Sequence, residues 1–332
     1  MTRLKRRKEL PSDNKGDVRF GTPQEAAEYR ATRIAALSPD TIIEIGAGAG
    51  FQTTGFSRIA KTVIAVDIDA DRLARATFPE NVIPIAGDAL DAETLERIKH
   101  EAKGKVIVFL DPERPASSTR RTLSEIQPDI VSFVREYSSI APDIAIELPP
   151  FLGDGEFAAL PPHEREYLSI GGKLNRLTVY FGALRRCDIS VIRLPENSRI
   201  EGNFPLSNME QTARDGMKFV LVPDAAVAHA GLIGEALTSG GVRAVHTMPL
   251  GNKTVYLSAT RCKGPFFKSM RIMASGPRRE VERALFRCGP LVLHGKLSEQ
   301  EQRELLMSLR KFCKGNERMH LFLGSRWYLT EE

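Results

Sequence analysis

The chain is poor in cysteine and contains no long apolar run. Its 332 residues include four cysteines and one tryptophan, and no two cysteines form a C-x-x-C pair. This scarcity argues against a disulfide framework and a zinc site. No apolar stretch approaches the roughly 20 residues that span a bilayer, and the basic N-terminus leads into no apolar segment typical of secretory signals. We therefore expect a cytoplasmic protein without a membrane or metal partner.

The positive charge is concentrated at the two ends of the chain. Residues 250–332 contain 16 basic and 8 acidic side chains, whereas the other residues contain 31 basic and 34 acidic ones. Five of the first ten residues are basic and one is acidic. Such asymmetry indicates a polyanionic partner, most often nucleic acid. A solvated surface that only serves solubility would give the same pattern.

Short apolar runs alternate with helical stretches between residues 41 and 150. This alternation predicts βαβ units and an α/β fold with a mostly parallel, Rossmann-like sheet. The predicted strands are Thr41–Ile45, Thr62–Val66, Val82–Ala86, Lys105–Leu110 and Ile144–Leu148. Because ligands bind beyond the carboxyl ends of such strands, the residues that follow them are candidates for the site.

The flanking segments give weaker patterns. Thr22 is expected to begin a helix with a capping box, and Leu177–Ala183 and Ile189–Leu194 are expected to be two strands joined by a turn. Glycines mark residues 238–252 as a linker. The expected domains are a basic flexible tail at 1–17, a large domain at 18–240 and a smaller basic α/β domain at 250–332.

The C-terminal segment contains a second capping-box pattern. Ser298 is followed three residues later by Glu301, which predicts the start of a helix. Four apolar side chains are expected on its inward face. They are Leu305, Leu306, Leu309 and Phe312.

A glycine-rich turn directly follows the first predicted strand. The segment Glu44-Ile-Gly46-Ala47-Gly48-Ala-Gly50 allows a tight turn and lets a ligand lie against the main chain. The rival interpretation is a nicotinamide or flavin site with the pattern G-x-G-x-x-G. Phe51 occupies the position of the third glycine in that pattern, which disfavours the dinucleotide site.

This E-x-G-x-G-x-G turn resembles motif I of class I S-adenosylmethionine (SAM) methyltransferases. The resemblance implies the Rossmann-like fold of that class, SAM as cofactor and S-adenosylhomocysteine as product. It also implies that Asp67 binds the ribose hydroxyls and that Asp88 meets the adenine amine, although an Asp after a strand is often only a helix cap. The implied cofactor-binding residues are Glu44, Gly46, Ala47, Gly48, Gly50, Asp67, Ile68, Asp88 and Ala89.

The fourth predicted strand ends at Asp111-Pro112-Glu113-Arg114. This turn resembles half of the [N/D]-P-P-[Y/F] motif of amino-methyltransferases, in which the first side chain and a backbone carbonyl accept the amine hydrogens. Glu113 and Arg114 replace the second proline and the aromatic residue, so Arg114 is expected to stack on a base or bind a phosphate. Glu147 is a further carboxylate at a strand end. The candidate catalytic residues are therefore Asp111, Pro112, Glu113 and Glu147; a solvated turn and a rigid strand end are the structural alternatives.

Scattered segments resemble class I methyltransferases with a C-terminal THUMP-like domain. Among them are Tyr29-Arg30-Ala31, Gly172-Lys173 and Pro223-Asp224-Ala225. The resemblance implies an RNA substrate, and phosphate-contacting cations are expected near the turn and in the basic domain. They are Arg114, Arg120, Arg121, Arg261, Lys263, Lys268 and Arg271. Phe266 and Phe267 are expected in the core.

The sequence thus predicts a SAM-dependent RNA methyltransferase that modifies a base nitrogen. No cysteine lies near the predicted strand ends, which disfavours the pyrimidine C5 mechanism because that mechanism needs a cysteine nucleophile. The first expectation is an exocyclic amine, cytidine N4, of ribosomal RNA, either naked or in a ribosomal subunit, and the second is transfer RNA. The alternatives are a methyltransferase for a small molecule or a protein, and a non-catalytic RNA-binding protein that retains a SAM pocket.

Overall fold

The computed structural model describes residues 22–112, 122–202 and 206–331. The chain divides into two compact units, Met1–Asn197 and Ser198–Glu332. The expected tail at 1–17 lies outside the described residues. So do four predicted site residues, Glu113, Arg114, Arg120 and Arg121.

The first unit alternates strands and helices from residue 41 onwards, as the sequence predicts. Its described helices are α1 (Gln24–Ala35), α2 (Thr53–Phe56), α3 (Ala70–Arg75), α4 (Ala92–Glu101) and α5 (Ile130–Tyr137). Its described strands are β1 (Thr41–Ile45), β2 (Thr62–Asp67), β3 (Val82–Ala86), β4 (Val106–Leu110), β5 (Ile144–Leu148), β6 (Glu164–Ile170), β7 (Lys173–Tyr180) and β8 (Ile189–Leu194). The predicted bounds of β1, β3 and β5 agree with the structure.

These strands form a mixed sheet in the order β3-β2-β1-β4-β5-β7-β6-β8. The first five strands of the chain run parallel, with Ile43 of β1 opposite Ile64 of β2 and Val108 of β4. β7 is antiparallel to both β5 and β6. The expected parallel core is therefore present, but the sheet as a whole is mixed, because β6 and β7 are consecutive strands joined by a tight turn.

The strand order reverses between β1 and β4. The chain moves outward from β1 to β3 and then returns to the opposite side of β1. Such a switch point leaves a crevice beyond the carboxyl ends of the two central strands. It is therefore the position at which this fold binds ligands.

Helix α1 packs on the sheet through buried Ala26, Ala31 and Ile34. The expected capping box at Thr22 is wrong. The N-cap residue is Pro23, and no side chain within the described part of the chain caps the first turn. Burial of the apolar face, rather than a cap, stabilises this helix end.

Strand β6 does not appear among the sequence predictions. It lies between β7 and β8, so these two strands are not the adjacent pair that the turn suggested. Glu164 and Glu166 break its apolar pattern, yet both side chains are buried. Arg33 of α1 pairs with both carboxylates, which makes their burial possible.

The second unit contains its own sheet, in the order β10-β12-β13-β11-β14-β17-β16-β15. Its described strands are β9 (Ser198–Glu201), β10 (Glu210–Gln211), β11 (Phe219–Pro223), β12 (Ala244–Leu250), β13 (Lys253–Ser258), β14 (Phe267–Gly276), β15 (Cys288–His294), β16 (Glu317–Leu323) and β17 (Trp327–Glu331). Its described helices are α6 (Ala225–His229), α7 (Ile233–Ser239), α8 (Arg278–Ala284) and α9 (Glu299–Arg310).

Helices α8 and α9 cover one face of this sheet. Val281 of α8 and Leu309 of α9 pack into one core cluster with Leu321 and Leu329 of the strands. The capping box that opens α9 is confirmed: the Glu301 N–H donates to the Ser298 hydroxyl over 3.3 Å, and Glu301 accepts from the Ser298 N–H over 2.7 Å. Leu306, however, is exposed rather than inward.

The division between the units differs from the expected domain bounds. Residues 198–240 belong to the second unit, whereas the sequence suggested a large domain that ended at 240. The expected linker at 238–252 is wrong because it contains β12, which pairs with β13. Phe266 and Phe267 are buried, so their expected place in the core is confirmed.

Candidate active site

A cavity of about 470 Å³ lies at the switch point of the first sheet. Its walls come from the ends of β1, β2, β3 and β4 and from the segment that leads into α5. The described lining residues are Ile45, Gly46, Val66, Asp67, Ile68, Gly87, Asp88, Ala89, Leu90, Leu110, Asp111, Pro112, Ser124, Ile126, Gln127, Pro128 and Asp129. A volume of this size suits a cofactor-sized ligand.

The glycine turn approaches β4 so closely that it excludes a side chain. Gly46 has a φ of +79°, and a Cβ there would collide with the carbonyl oxygen of Asp111. The Gly46 N–H donates to Val66 O over 2.9 Å, and the Asp111 N–H donates to Ile45 O over 3.0 Å. The ends of three strands are thus joined around one backbone turn.

Asp67 joins the glycine turn to the end of β2. One carboxylate oxygen accepts the Gly48 N–H over 2.7 Å, and the other accepts the Asp69 N–H over 2.9 Å. These bonds fix the carboxylate at the cavity wall. Ile68, the next residue, is 74% exposed and also lines the cavity. An exposed apolar side chain can pack against the flat face of a heterocyclic base. The fixed acid beside it can accept hydrogen bonds from the hydroxyl groups of an attached sugar.

Asp88 and Ala89 line the cavity at the end of β3. Asp88 is exposed, and its carboxylate accepts the Leu90 N–H over 2.9 Å. The Ala89 carbonyl accepts the Tyr137 hydroxyl over 2.9 Å. This contact joins the turn to α5 and fixes the backbone that carries Asp88.

The cavity wall is anionic. Four aspartates line it, and the described lining residues include no Lys, Arg or His. Such a wall suits a cation better than the pyrophosphate of a dinucleotide. Helix α2, which follows the glycine turn, has only four residues, so it offers little of the dipole on which phosphate sites depend. The geometry therefore supports the preference of the sequence against a dinucleotide.

Glu44 lies behind this wall, two residues before Gly46. Its side chain is 1% exposed, and its Oε2 has no hydrogen-bond partner among the described residues. The pKa of this carboxyl group is raised to about 8, mainly by burial and also by the nearby carboxylates of Asp111 and Asp67, which together outweigh the opposing effects of Thr53 and Arg30. A buried acceptor without a partner is satisfied when a ligand brings a donor. The site therefore fits the sulfonium and ammonium charges of SAM, the cofactor that the resemblance implies.

The predicted cofactor residues divide into two groups. Gly46, Asp67, Ile68, Asp88 and Ala89 line the cavity directly. Glu44, Ala47, Gly48 and Gly50 are not among the lining residues and form the turn behind it. The sequence did not single out the segment before α5. That segment contributes Ser124, Ile126, Gln127, Pro128 and Asp129. A signal that could have identified it is Pro128, because a proline inside a helix-like stretch interrupts the helix.

Of the predicted catalytic residues, Asp111 and Pro112 line the cavity. Glu147 does not belong to the described lining. Its buried carboxylate instead pairs with Arg30 and with Arg176, the latter over 2.6 Å. Glu147 therefore fits the structural alternative, a rigid strand end, because two guanidinium groups already bind its carboxylate.

Arg30 connects α1 to the elements that surround the cavity. Its fully buried guanidinium bonds Glu147 at the end of β5 and donates to Gln52 Oε1 over 2.6 Å just before α2. It also lies over the Phe109 ring of β4, 4.8 Å from the centroid. The sequence singles out Arg30 only within the segment Tyr29-Arg30-Ala31, which resembles THUMP-containing methyltransferases. Its partners lie 22 to 117 residues away, so no local pattern identifies them.

The four predicted RNA-binding residues of the second unit are all exposed. Arg261 and Lys263 lie in the loop before β14, whereas Lys268 and Arg271 lie within that strand. Residues three apart in a strand point to opposite faces, so Lys268 and Arg271 do not share a surface. The four cations therefore do not form a single patch.

The described residues contain no helix long and apolar enough to cross a bilayer. They also contain no cluster of three or more His, Cys, Asp or Glu side chains arranged to hold a metal ion.

Comparison with known proteins supports a methyltransferase fold. A crystal structure from Porphyromonas gingivalis W83, assigned to the methyltransferases, superposes with a TM-score of 0.70 at 16% sequence identity, over 97% of this chain and 83% of that chain. At this identity the likeness defines the fold. No family model matches the chain.

Short segments of the chain are similar in sequence to a narrower group of methyltransferases. A protein of Pyrobaculum aerophilum described as ribosomal RNA small subunit methyltransferase A is 46% identical over 72 residues, which are 20% of this chain and 29% of that protein. Its namesake in Methanosarcina mazei is 45% identical over 69 residues, 19% of this chain and 26% of that protein. The chain thus spans less than a third of the curated relatives it matches.

Proposed function

We propose that the chain is a SAM-dependent methyltransferase that modifies a base nitrogen of RNA. The observation that carries this proposal is the acid-lined cavity at the switch point, closed on one side by a glycine turn that excludes side chains. The methyltransferase fold and the local similarity to ribosomal RNA methyltransferases support the same activity.

The cofactor residues have distinct roles in this proposal. Asp67 accepts the ribose hydroxyls, and Ile68 covers one face of the adenine. Asp88 accepts the adenine amine at the end of β3. Glu44 accepts a hydrogen bond from the ammonium group, whose positive charge favours the ionised form of this carboxyl group. These roles distribute the acids along a ligand that carries positive charge at one end.

The acceptor residues are Asp111 and Pro112. When SAM is bound, it supplies an electrophilic methyl group. The Asp111 carboxylate accepts one hydrogen of the substrate amine and the backbone carbonyl of Pro112 accepts the other, which directs the nitrogen lone pair into the cavity. Positioning of this kind supplies most of the rate gain in such a transfer. We propose an exocyclic amine, cytidine N4, as the acceptor.

Small-subunit ribosomal RNA is the proposed substrate, with transfer RNA as the second choice. The curated relatives carry the ribosomal name, and residues 250–332 carry a net positive charge. In this proposal the second unit serves as the RNA-docking module, the role of a THUMP-like domain, and the RNA is either naked or part of a ribosomal subunit.

The test uses methyl-labelled SAM and the purified full chain. Transfer RNA, ribosomal RNA and ribosomal subunits from a strain lacking the gene are offered separately, and nucleoside mass spectrometry identifies the product. Label in an RNA pool, on a base nitrogen, supports the proposal. Bound SAM without label in any pool contradicts it and favours a small-molecule acceptor, a protein acceptor or a binding-only role.

Two substitutions separate the cofactor and acceptor roles. Asp67→Ala is expected to abolish SAM binding in calorimetry, whereas Asp71→Ala, an exposed acid on α3, leaves it unchanged. Asp111→Ala is expected to spare SAM binding and to abolish transfer. Normal SAM affinity in Asp67→Ala would contradict the cofactor assignment, and full transfer in Asp111→Ala would contradict the acceptor assignment.

A further inference from the structure

The turns that follow α8 and α9 meet beside β15, the edge strand of the second sheet. The Gly315 N–H, in the turn after α9, donates to Cys288 O over 3.1 Å just after α8. The approach is so close that a Cβ at Gly315 would collide with the carbonyl oxygen of Arg287. The exposed residues that flank these two turns therefore lie on neighbouring parts of the surface.

This surface carries four cations and one exposed aromatic ring. We call it the helix-end patch and define it as Arg283, Phe286, Arg310, Lys311 and Lys314, all of which are exposed. Val281 and Leu285 point into the core. Because a helix turns about 100° per residue, Arg283 lies on the opposite, outward side of α8, and Phe286, in the short turn after the helix, is also exposed.

The local acids do not neutralise the patch. Glu282 pairs with Arg278 over 2.6 Å, and Glu317 pairs with Arg287 over 2.8 Å. Among the described residues, the four cations of the patch have no ion-pair partner. The patch is therefore a site of net positive charge, which favours a polyanion.

Phe286 is the unusual member of the patch. Its side chain is 62% exposed although it stands amid charged residues. Cations near helix C-termini are favourable by themselves because they complement the helix dipole. That effect accounts for Arg283 and Arg310, but it gives no reason for an exposed aromatic ring between them. A ring flanked by cations is the arrangement that binds unpaired bases together with their phosphates.

We propose that the helix-end patch docks a single-stranded segment of the RNA substrate, with one base stacked on Phe286 and the neighbouring phosphates held by the four cations. The inference rests on the proposed RNA methyltransferase function and specifies where that RNA binds. A single strand is required because bases within a duplex are not open to stacking by a side chain.

The test measures binding of the full chain to a short fluorescein-labelled single-stranded RNA by anisotropy, over a series of KCl concentrations. Phe286→Ala is expected to weaken binding at least about fivefold. Arg283→Gln combined with Lys314→Gln is expected to reduce the slope of log K against log salt by about 1.4. The matched control is Lys253→Gln combined with Lys296→Gln, which removes two exposed charges outside the patch and is expected to leave the slope nearly unchanged. All variants should remain folded with a Tm within a few degrees of the wild type, because the side chains are exposed and a cation at a helix end contributes little to stability.

Three outcomes would overturn the inference. They are wild-type affinity in Phe286→Ala, an equal loss of slope in the control pair, and equal affinity of the wild type for the corresponding duplex. The methylation assay on RNA pools reports separately on the proposed function. Absence of methylated RNA together with patch-dependent binding would reject the proposed function alone, whereas methylation by the wild type with unchanged binding in the patch variants would reject this inference alone.

Discussion

At the scale of single residues, the candidate site depends on backbone positions that tolerate no side chain. Gly46 combines a positive φ with contact to the Asp111 carbonyl. The same carbonyl belongs to the residue whose side chain we assign to the acceptor. The cofactor turn and the acceptor turn are therefore mechanically coupled through one backbone contact.

We predict that Gly46→Ala disrupts the site and destabilises the first unit. The added Cβ imposes a left-handed strain of about 1–3 kcal/mol and displaces Asp111. Calorimetry should detect no SAM binding, and the Tm should fall by several degrees. Gly153→Ala is the matched control, since its φ is −73° and nothing lies within 4 Å of the added Cβ. Normal SAM affinity in Gly46→Ala would contradict this account of the turn.

A second prediction concerns the buried carboxyl group of Glu44. Its pKa is raised from 4.5 to about 8 in the folded chain, so between these values the native state binds more protons than the unfolded state. Stability contributed by this group therefore falls as pH rises through the window. Glu44→Gln removes the titration, and we expect the Tm of the variant relative to the wild type to increase from pH 5 to pH 8.

The control for this titration is Glu80→Gln, which makes the same substitution at an exposed acid. A constant Tm difference between Glu44→Gln and the wild type over the same range would show that Glu44 ionises normally. The pH series thus tests the burial of the group without reference to activity.

At the scale of secondary structure elements, α1 is held to the sheet by buried ion pairs as well as by apolar contacts. Arg30 reaches Glu147 of β5, and Arg33 reaches Glu164 and Glu166 of β6. The Arg33 guanidinium also lies 3.7 Å from the centre of the Tyr180 ring. The pKa of Glu164 falls to about 2, because its bonds with Arg33, Ser190 and the Arg186 backbone outweigh the opposing effect of burial.

We predict that Arg30→Met destabilises the first unit by about 3–5 kcal/mol, because the variant leaves a buried carboxylate short of a partner. Urea unfolding of the full chain would measure this loss. The double variant Arg30→Met, Glu147→Gln should lose less than the sum of the single variants. Arg185→Gln is the control, since its ion pair with Asp188 is exposed and should contribute at most about 1 kcal/mol. Additive losses would contradict direct coupling between Arg30 and Glu147.

The buried ion pairs also explain why the sequence predicted some strands of the first sheet and missed β6. The apolar runs of β1, β3 and β5 predict these three strands, and their bounds agree with the structure. β6 was not predicted because Glu164 and Glu166 are residue types that normally face solvent. They are buried here because Arg33 pairs with both. Burial of charge depends on a partner more than 130 residues away, and hydrophobic periodicity does not record it.

At the scale of the whole molecule, the boundary between the units decides which fragments are complete. The sheet of the second unit needs β11 between β13 and β14. Val220 and Leu221 of β11 are fully buried there. A chain that ends at residue 240, the boundary expected from the sequence, would retain β11 without either neighbour.

We therefore predict different behaviour for two N-terminal fragments. The fragment 1–197 should be soluble and unfold in one cooperative transition, because it retains β1 to β8. The fragment 1–240 should aggregate, since an unpaired apolar strand is prone to pair with other chains. Sedimentation and thermal melting would compare them. A soluble, monomeric fragment 1–240 would contradict the boundary at 197.

The sequence by itself determined the alternation of strands and helices, the glycine turn and the acids at the strand ends. These features depend on local periodicity and on the conformational freedom of glycine, both of which act over a few residues. Only the tertiary structure decided that Glu147 pairs with Arg30 and Arg176, and that the residues before α5 complete the cavity. It alone brought the turns after α8 and α9 together. These arrangements depend on contacts between distant segments, and such contacts exist only once the chain has folded.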